Sequence, residues 1–422
     1  MSFDYKRIEL AKNVGFNTII DKKFKSNILT IRFIVPLEKK SATLNALAIN
    51  TLSSSSGKYD TFRKLSRKLA ELYGSSMFSG IYKMGDIQIL SLTTRFIDDR
   101  FALNGENITN DIVQVFLDCL LNPNLDDTKT KFNEEVFNIS KKEILDNIES
   151  EINNKRTYAM IQAGKIIYKD EPASISSYGE KEQTSKSTSK ETFESYKNLL
   201  STACIEVFYV GGTEKPIIES SLKDVFSKLE RNPIDMPITK PSVIKSQVEQ
   251  ITQELDISQT KMVMALKTTF QDKYINIILN ILLGSSPFSK LFANVREKLS
   301  LCYDCQSIYE HKKSTFIIDS GIEYSNLDKT KSAILQQIDD IKNGNFTDDD
   351  LENTKKYVCN SLKFIGDTQS SYISWFFSDI IFNNKRTIES EYKKYHEVTR
   401  QDVIDASKCL TLDTIYILKP KK

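Results

Sequence analysis

Two stretches of this chain repeat one pattern of apolar and polar positions. Residues 27–35 are a β-branched, apolar run. A mostly apolar segment follows at 43–52 and stops at the small, polar stretch 53–57. Residues 59–73 then carry apolar positions at helical spacing, and residues 75–82 and 86–96 alternate. A period near 3.6 marks an amphipathic helix and a period of 2 marks a half-buried strand, so the order is strand, helix, helix, strand, strand. Residues 261–268, 273–283, 288–299, 302–309 and 314–322 repeat that order. Lys68-Leu-Ala-Glu-Leu-Tyr73 falls on Lys298-Leu-Ser-Leu-Cys-Tyr303, and Asn50-Thr-Leu-Ser-Ser falls on Asn280-Ile-Leu-Leu-Gly. Two copies of one supersecondary unit describe a duplicated domain rather than a solenoid.

Each copy runs on into helical patterns. In the first half these are 107–121, 129–151, 155–168, 189–200 and 216–229, with a strand at 204–209 leading to Gly211-Gly212. In the second half they are 326–343, 368–382 and two segments opened by Thr347-Asp-Asp-Asp and Thr399-Arg-Gln-Asp402, before a strand at 414–418. Threonine followed by acidic residues is an N-terminal capping signal. Pro233, Pro237 and Pro241 interrupt periodicity between the halves, which reads as a linker. The expected organisation is therefore a first domain over 1–232, a linker over 233–247 and a second domain over 248–422. The fold class is α+β: two similar domains, each a mostly antiparallel sheet covered by helices.

Composition narrows the function. Lys and Arg number 58 and Asp and Glu 56, with the lysines interleaved among acids, so no basic footprint for nucleic acid is expected. The polar stretch 1–22 lacks the apolar core of a secretory signal, and no apolar run is long enough for a membrane helix. A cytosolic location is the expectation. Six thinly spread cysteines, including Cys119, Cys204, Cys359 and Cys409, read as reduced thiols. Cys302 and Cys305 form a CxxC without a second pair for zinc, in a stretch that reads as the start of a strand.

At this point the residues resemble a known family. Two similar α+β halves, the run Ser-Pro-Phe-Ser-Lys-Leu-Phe-Ala-Asn-Val-Arg-Glu-Lys ahead of Tyr303, and the strand into Gly211-Gly212 resemble the pitrilysin/insulinase-type peptidases, or inverzincins. Within them the chain is most similar to the non-catalytic YmfF-type subunits. The resemblance spans about residues 5–420, is most specific over 288–303, and implies two domains arranged as a clamshell. In active members, HxxEH on the helix after the first strand supplies two zinc-binding histidines and a general base, and a later helix supplies a distal glutamate. Here Ala46 and Asn50 stand where the histidines belong and Ile49 where the base belongs. The distal position falls on Asn147, or on Glu143 if the register slips. The whole chain has two histidines, His311 and His396, each read as a solvated surface residue. No catalytic residue, metal ligand or cofactor is expected.

The family also places an Arg and a Tyr of the second half against the substrate peptide, and the matching residues are Arg296 and Tyr303. Guanidinium forks and phenol hydroxyls donate well to carbonyls and oxyanions. The alternative is that Arg296 pairs with Glu297 or another acid and Tyr303 fills a strand position. Tyr73, aligned with Tyr303 by the repeat, favours that plainer role. The expected function is a non-catalytic subunit of a zinc peptidase-like heterodimer. It would help enclose and bind peptide for a zinc-bearing homologous partner. The competing reading is a peptide-binding or scaffolding homodimer, and a third is an unorthodox enzyme built on Glu134, Glu135 and Glu143. No nucleic-acid or membrane partner is expected.

Overall fold

The β-branched runs of the first half pair into one sheet. In the computed structural model, which describes residues 3–421, its strands are β1 (Asp4–Ala11), β2 (Val14–Ile20), β3 (Ser26–Pro36), β4 (Ser76–Met84), β5 (Ile87–Ile97) and β6 (Cys204–Gly211), ordered β1-β2-β6-β3-β5-β4. Every neighbouring pair is antiparallel except β2 with β6. The second sheet holds β7 (Glu249–Leu255), β8 (Thr260–Thr268), β9 (Cys302–Glu310), β10 (Thr315–Ile322) and β11 (Leu410–Pro420), ordered β7-β11-β8-β10-β9. Its one parallel pair is β7 with β11. The expected α+β class and mostly antiparallel sheets are both present.

The helices are α1 (Ala42–Leu52), α2 (Phe62–Glu71), α3 (Ile108–Leu121), α4 (Glu134–Ser150), α5 (Lys155–Ile167), α6 (Lys181–Lys186), α7 (Ser189–Thr202), α8 (Pro216–Lys228), α9 (Lys273–Asn280), α10 (Leu327–Lys342), α11 (Asp348–Leu362), α12 (Gln369–Ile381), α13 (Ile388–Glu397) and α14 (Arg400–Lys408). Thr347 and Thr399 each accept from the N3 amide and receive the N3 aspartate in return, so both capping signals are used. The expected helix over 273–283 keeps α geometry only to Asn280, then widens into a π-helical stretch, Ile281–Ser285. Gly284 is pressed against β9 there: a Cβ would come within 2.7 Å of the Ser307 amide nitrogen. The expected helix over 288–299 becomes a second π-helical stretch, Leu291–Lys298. Such wide turns concentrate at functional sites.

Two compact units result, and they are interleaved in sequence. One comprises the residues up to Glu149, Ile175–Ile238 and Gly366–Asn384. The other comprises Ser150–Ser174, Thr239–Ile365 and the residues from Lys385 onward. So α5 lies in the second unit although it precedes residue 232, and α12 lies in the first although it follows residue 248. Packing explains both placements. Ala159, Ala163 and Ile167 of α5 share a core with Val263, Ala265, Ile317, Tyr416 and Leu418. Tyr372, Ile373, Phe377 and Ile381 of α12 share one with Ile28, Ile34, Ile87, Ile89 and Phe208. Within the linker the Ile234 amide donates to Thr202 in the first unit and the Ser242 amide to Lys313 in the second. No helix among the described residues is long and apolar enough to cross a membrane.

Candidate functional site

The position where active relatives would build a metal centre is filled by core and by amide chemistry. Ala46 is 0% exposed and Ile49 1%, and Ile49 belongs to the cluster that also holds Leu47, Leu52 and Phe116. Asn50 is half-buried. Its Nδ2 donates to Ser140 Oγ (3.0 Å) and Glu143 Oε2 (2.9 Å), and its Oδ1 accepts from Ser79 Oγ (2.8 Å). One turn earlier, Asn45 donates to Gln88 Oε1 (3.0 Å) and accepts from Ser195 Oγ (2.7 Å). The acid of α4 that meets α1 at Asn50 is thus Glu143, four residues before Asn147, and Ser79 and Ser140 join it. Nothing in the periodicity singled those two serines out. One carboxylate with an amide and two hydroxyls does not fit zinc, which takes imidazole, thiolate or several carboxylates. Among the described residues, no group of three His, Cys, Asp or Glu is placed to hold an ion.

Arg296 and Tyr303 both lie in the second unit. Arg296 is exposed on the π-helical stretch Leu291–Lys298, its guanidinium 4.6 Å from the Phe292 ring centre. Tyr303 is 58% exposed, and its hydroxyl donates to Glu323 Oε1 at 3.0 Å. That bond raises the phenol pKa above its ordinary value. In the β9–β10 ladder Gly321 faces Asp304 and Ile322 faces Cys302, so Tyr303 is the extra residue of a bulge. A bulge re-aims a side chain out of the pleat. The left-handed residues that end the preceding helical segments are Tyr73 (φ 59°) and Ser300 (φ 50°). The structure therefore matches Tyr73 with Ser300, three positions from the register read in the sequence, and Tyr303 has no tyrosine counterpart. Tyr73 does other work: its hydroxyl accepts from the Leu103 amide and donates to Glu106.

The bulge also places Cys302 and Cys305 on one face of β9, where their thiols share a hydrogen bond. That bond lowers the Cys302 thiol pKa, helped by the Arg296 charge, and raises that of Cys305. All six cysteines are free. His396 is exposed as expected. His311 corrects the expectation of a solvated residue: it is half-buried beside Tyr309, with Nδ1 enclosed and without an acceptor or donor. Burial, reinforced by Lys312, Lys273 and Arg386, pushes the imidazole down to about 4. The folded state then binds this proton less readily than the unfolded chain. Stability should be full above about pH 6.5 and fall as pH drops towards 4. Between pH 7.5 and 5 the wild type is expected to lose about 1–2 kcal/mol more than His311→Gln in urea unfolding, a value discounted for partial exposure.

Comparison with known proteins converges on one family. A family profile described as "Peptidase M16 inactive domain" matches residues 188–358. The chain is 25% identical over 415 residues to the "Probable inactive metalloprotease YmfF" of Bacillus subtilis (strain 168), covering 97% of each protein. The chain is similar to inactive members of the M16 peptidase family. Solved structures agree on the fold. A conserved protein from Enterococcus faecalis V583 superposes with a TM-score of 0.90 at 23% identity, covering 99% of both chains. An M16 inactive domain from Pseudomonas fluorescens gives 0.79 at 18%, again over 99% of both. A protease from Helicobacter pylori gives 0.78 at 13%, with 99% of both covered. The profile match begins well after α1; the resemblance read in the sequence is what sets the ligand and base positions of that helix at Ala46, Asn50 and Ile49.

Proposed function

We propose that this M16 homologue is a non-catalytic subunit that pairs with a zinc-bearing homologue and helps it enclose and bind peptide. The observation that carries the reading is a contrast within one chain. The first unit has replaced the metal-site positions with core residues and a satisfied amide network. The second unit presents an exposed guanidinium at Arg296 and, on a bulge, the exposed phenol of Tyr303. A fork of N–H donors and a hydroxyl suit peptide carbonyls and a developing oxyanion. Neither group is consumed by an internal ion pair: Arg296 stacks on Phe292, and Tyr303 holds one exposed carboxylate.

Co-expression with an HxxEH-bearing relative from the same cell tests the proposal. A stable complex that hydrolyses peptides is the expected result. In that complex Arg296→Ala should lower kcat/KM by about tenfold to a hundredfold, the scale of one or two charge-assisted hydrogen bonds, while assembly is unchanged. A tight homodimer that takes up no such relative would favour the scaffolding reading instead.

A further inference from the structure

We propose that Arg32 is the anchor of a carboxylate-binding site on the face of the first sheet that α12 covers, opposite the face that packs against α1. Arg32 stands mid-sheet in a cross-strand row that reads Gly80, Ser91, Arg32, Glu206, Gly15. Glu206, the acid of that row, is already used. Arg7 grips both its oxygens, with Nη2 at 2.6 Å from Oε1 and Nε at 3.3 Å from Oε2, and Asn17 adds a bond at 2.7 Å. Arg32 has no hydrogen-bond or ion-pair partner among the described residues, and its Nε is enclosed without an acceptor. Instead its guanidinium lies 4.3 Å from the Phe377 ring centre, 5.7 Å from Phe208 and 6.0 Å from Tyr82.

A half-buried cation among three rings is costly unless something completes it. Burial lowers its affinity for its own proton. Stacking against Phe377 occupies a face of the guanidinium and leaves its edge of N–H groups, which matches a planar carboxylate in bidentate fashion. Arg32 as a whole is half-buried, and of its nitrogens only Nε is enclosed without a partner, so the two Nη groups are the open end of the fork. The inference is independent of the subunit reading and uses none of the residues placed there.

The test is a titration of the intact protein with carbon-13 acetate at neutral pH, followed by line broadening, against chloride at equal ionic strength. Saturable binding is expected. Arg32→Met should weaken it by at least about tenfold, and Arg32→Lys, which keeps the charge but not the fork, by less. Arg32→Met removes an unpaired buried charge and should fold at least as well as wild type; if it does not, Arg32→Lys carries the comparison. Competition names the source of the carboxylate. Displacement by N-acetyl-dialanine and not by its amide supports a chain terminus. Displacement by an amidated peptide with one glutamate supports an acidic side chain. Acetate binding that is absent in the wild type, or unchanged in the folded variants, overturns the proposal, as does failure of every peptide to displace it.

Discussion

Installing the family's metal motif, by Ala46→His, Ile49→Glu and Asn50→His together, is expected to unfold the first unit rather than to create a peptidase. Ile49 is 1% exposed within a large aliphatic cluster, and Ala46 is 0% exposed. A glutamate at 49 would bury a charge with no cation beside it, at several kcal/mol. A histidine ring at 46 would overpack a position that now holds one methyl group, at about 1–3 kcal/mol. The sum, more than about 5 kcal/mol, is comparable to the whole stability of an ordinary domain. Asn50→His alone should be tolerated within about 1–2 kcal/mol, because it exchanges one half-buried polar group for another. Urea unfolding with and without zinc separates the outcomes. A triple variant that melts like wild type and is stabilised by zinc would show that the old site is still open.

The second large effect concerns Lys267. Lys267→Met is expected to lower stability by about 3–5 kcal/mol, the usual result of breaking a buried pair from one side. Lys267 is 1% exposed and Asp413 0%. The ammonium lies 3.2 Å from Asp413 Oδ1 and donates to the carbonyl oxygens of Ile167 (3.0 Å) and Val243 (2.6 Å). One cation thereby joins β8, β11, the end of α5 and the linker. After substitution Asp413 would keep two neutral donors, the Lys245 amide and the Thr414 hydroxyl, but among the described residues its nearest cation would be Lys245, at 3.7 Å, and two carbonyls would lose their donor. The exposed pair of Lys186 with Glu182 is the control: Lys186→Met should change stability by less than about 1 kcal/mol. Equal losses from the two variants would contradict this account.

How much of this was legible in the sequence depended on what each residue packs against. Buried strands such as β3, β6 and β8 are apolar runs that declare themselves. β2 was missed although it is buried, because its run VGFNTII lies in the stretch 1–22 that reads as polar, and β1 and β7 were missed because they are sheet edges. Their segments, DYKRIELA and EQITQEL, spread charge over both faces, as edges do to avoid pairing with strangers. α5 and α12 were recognised as helices, but periodicity says that a face is apolar and not which sheet will cover it. The loss of the metal motif could be read outright, since it needs only the identities of Ala46, Ile49 and Asn50. What replaced it could not, because Ser79, Ser140 and Glu143 reach Asn50 from segments 29 to 93 positions away. Tyr303 was found by resemblance, and its bulge is a property of the ladder that no spacing of residues displays.

The interleaving of the units has a consequence for synthesis on the ribosome. All six strands of the first sheet exist once Gly211 has emerged, but the helix that seals one of its faces ends at Ile381. At about 5–20 residues per second, Ile28, Ile34, Ile89 and Phe208 wait roughly 9–34 s for Phe377 and its neighbours to arrive. During that interval the nascent chain offers a wet, apolar sheet to any chaperone within reach. A first half made without α12 would keep that face uncovered, so a boundary drawn at the linker does not enclose a finished unit.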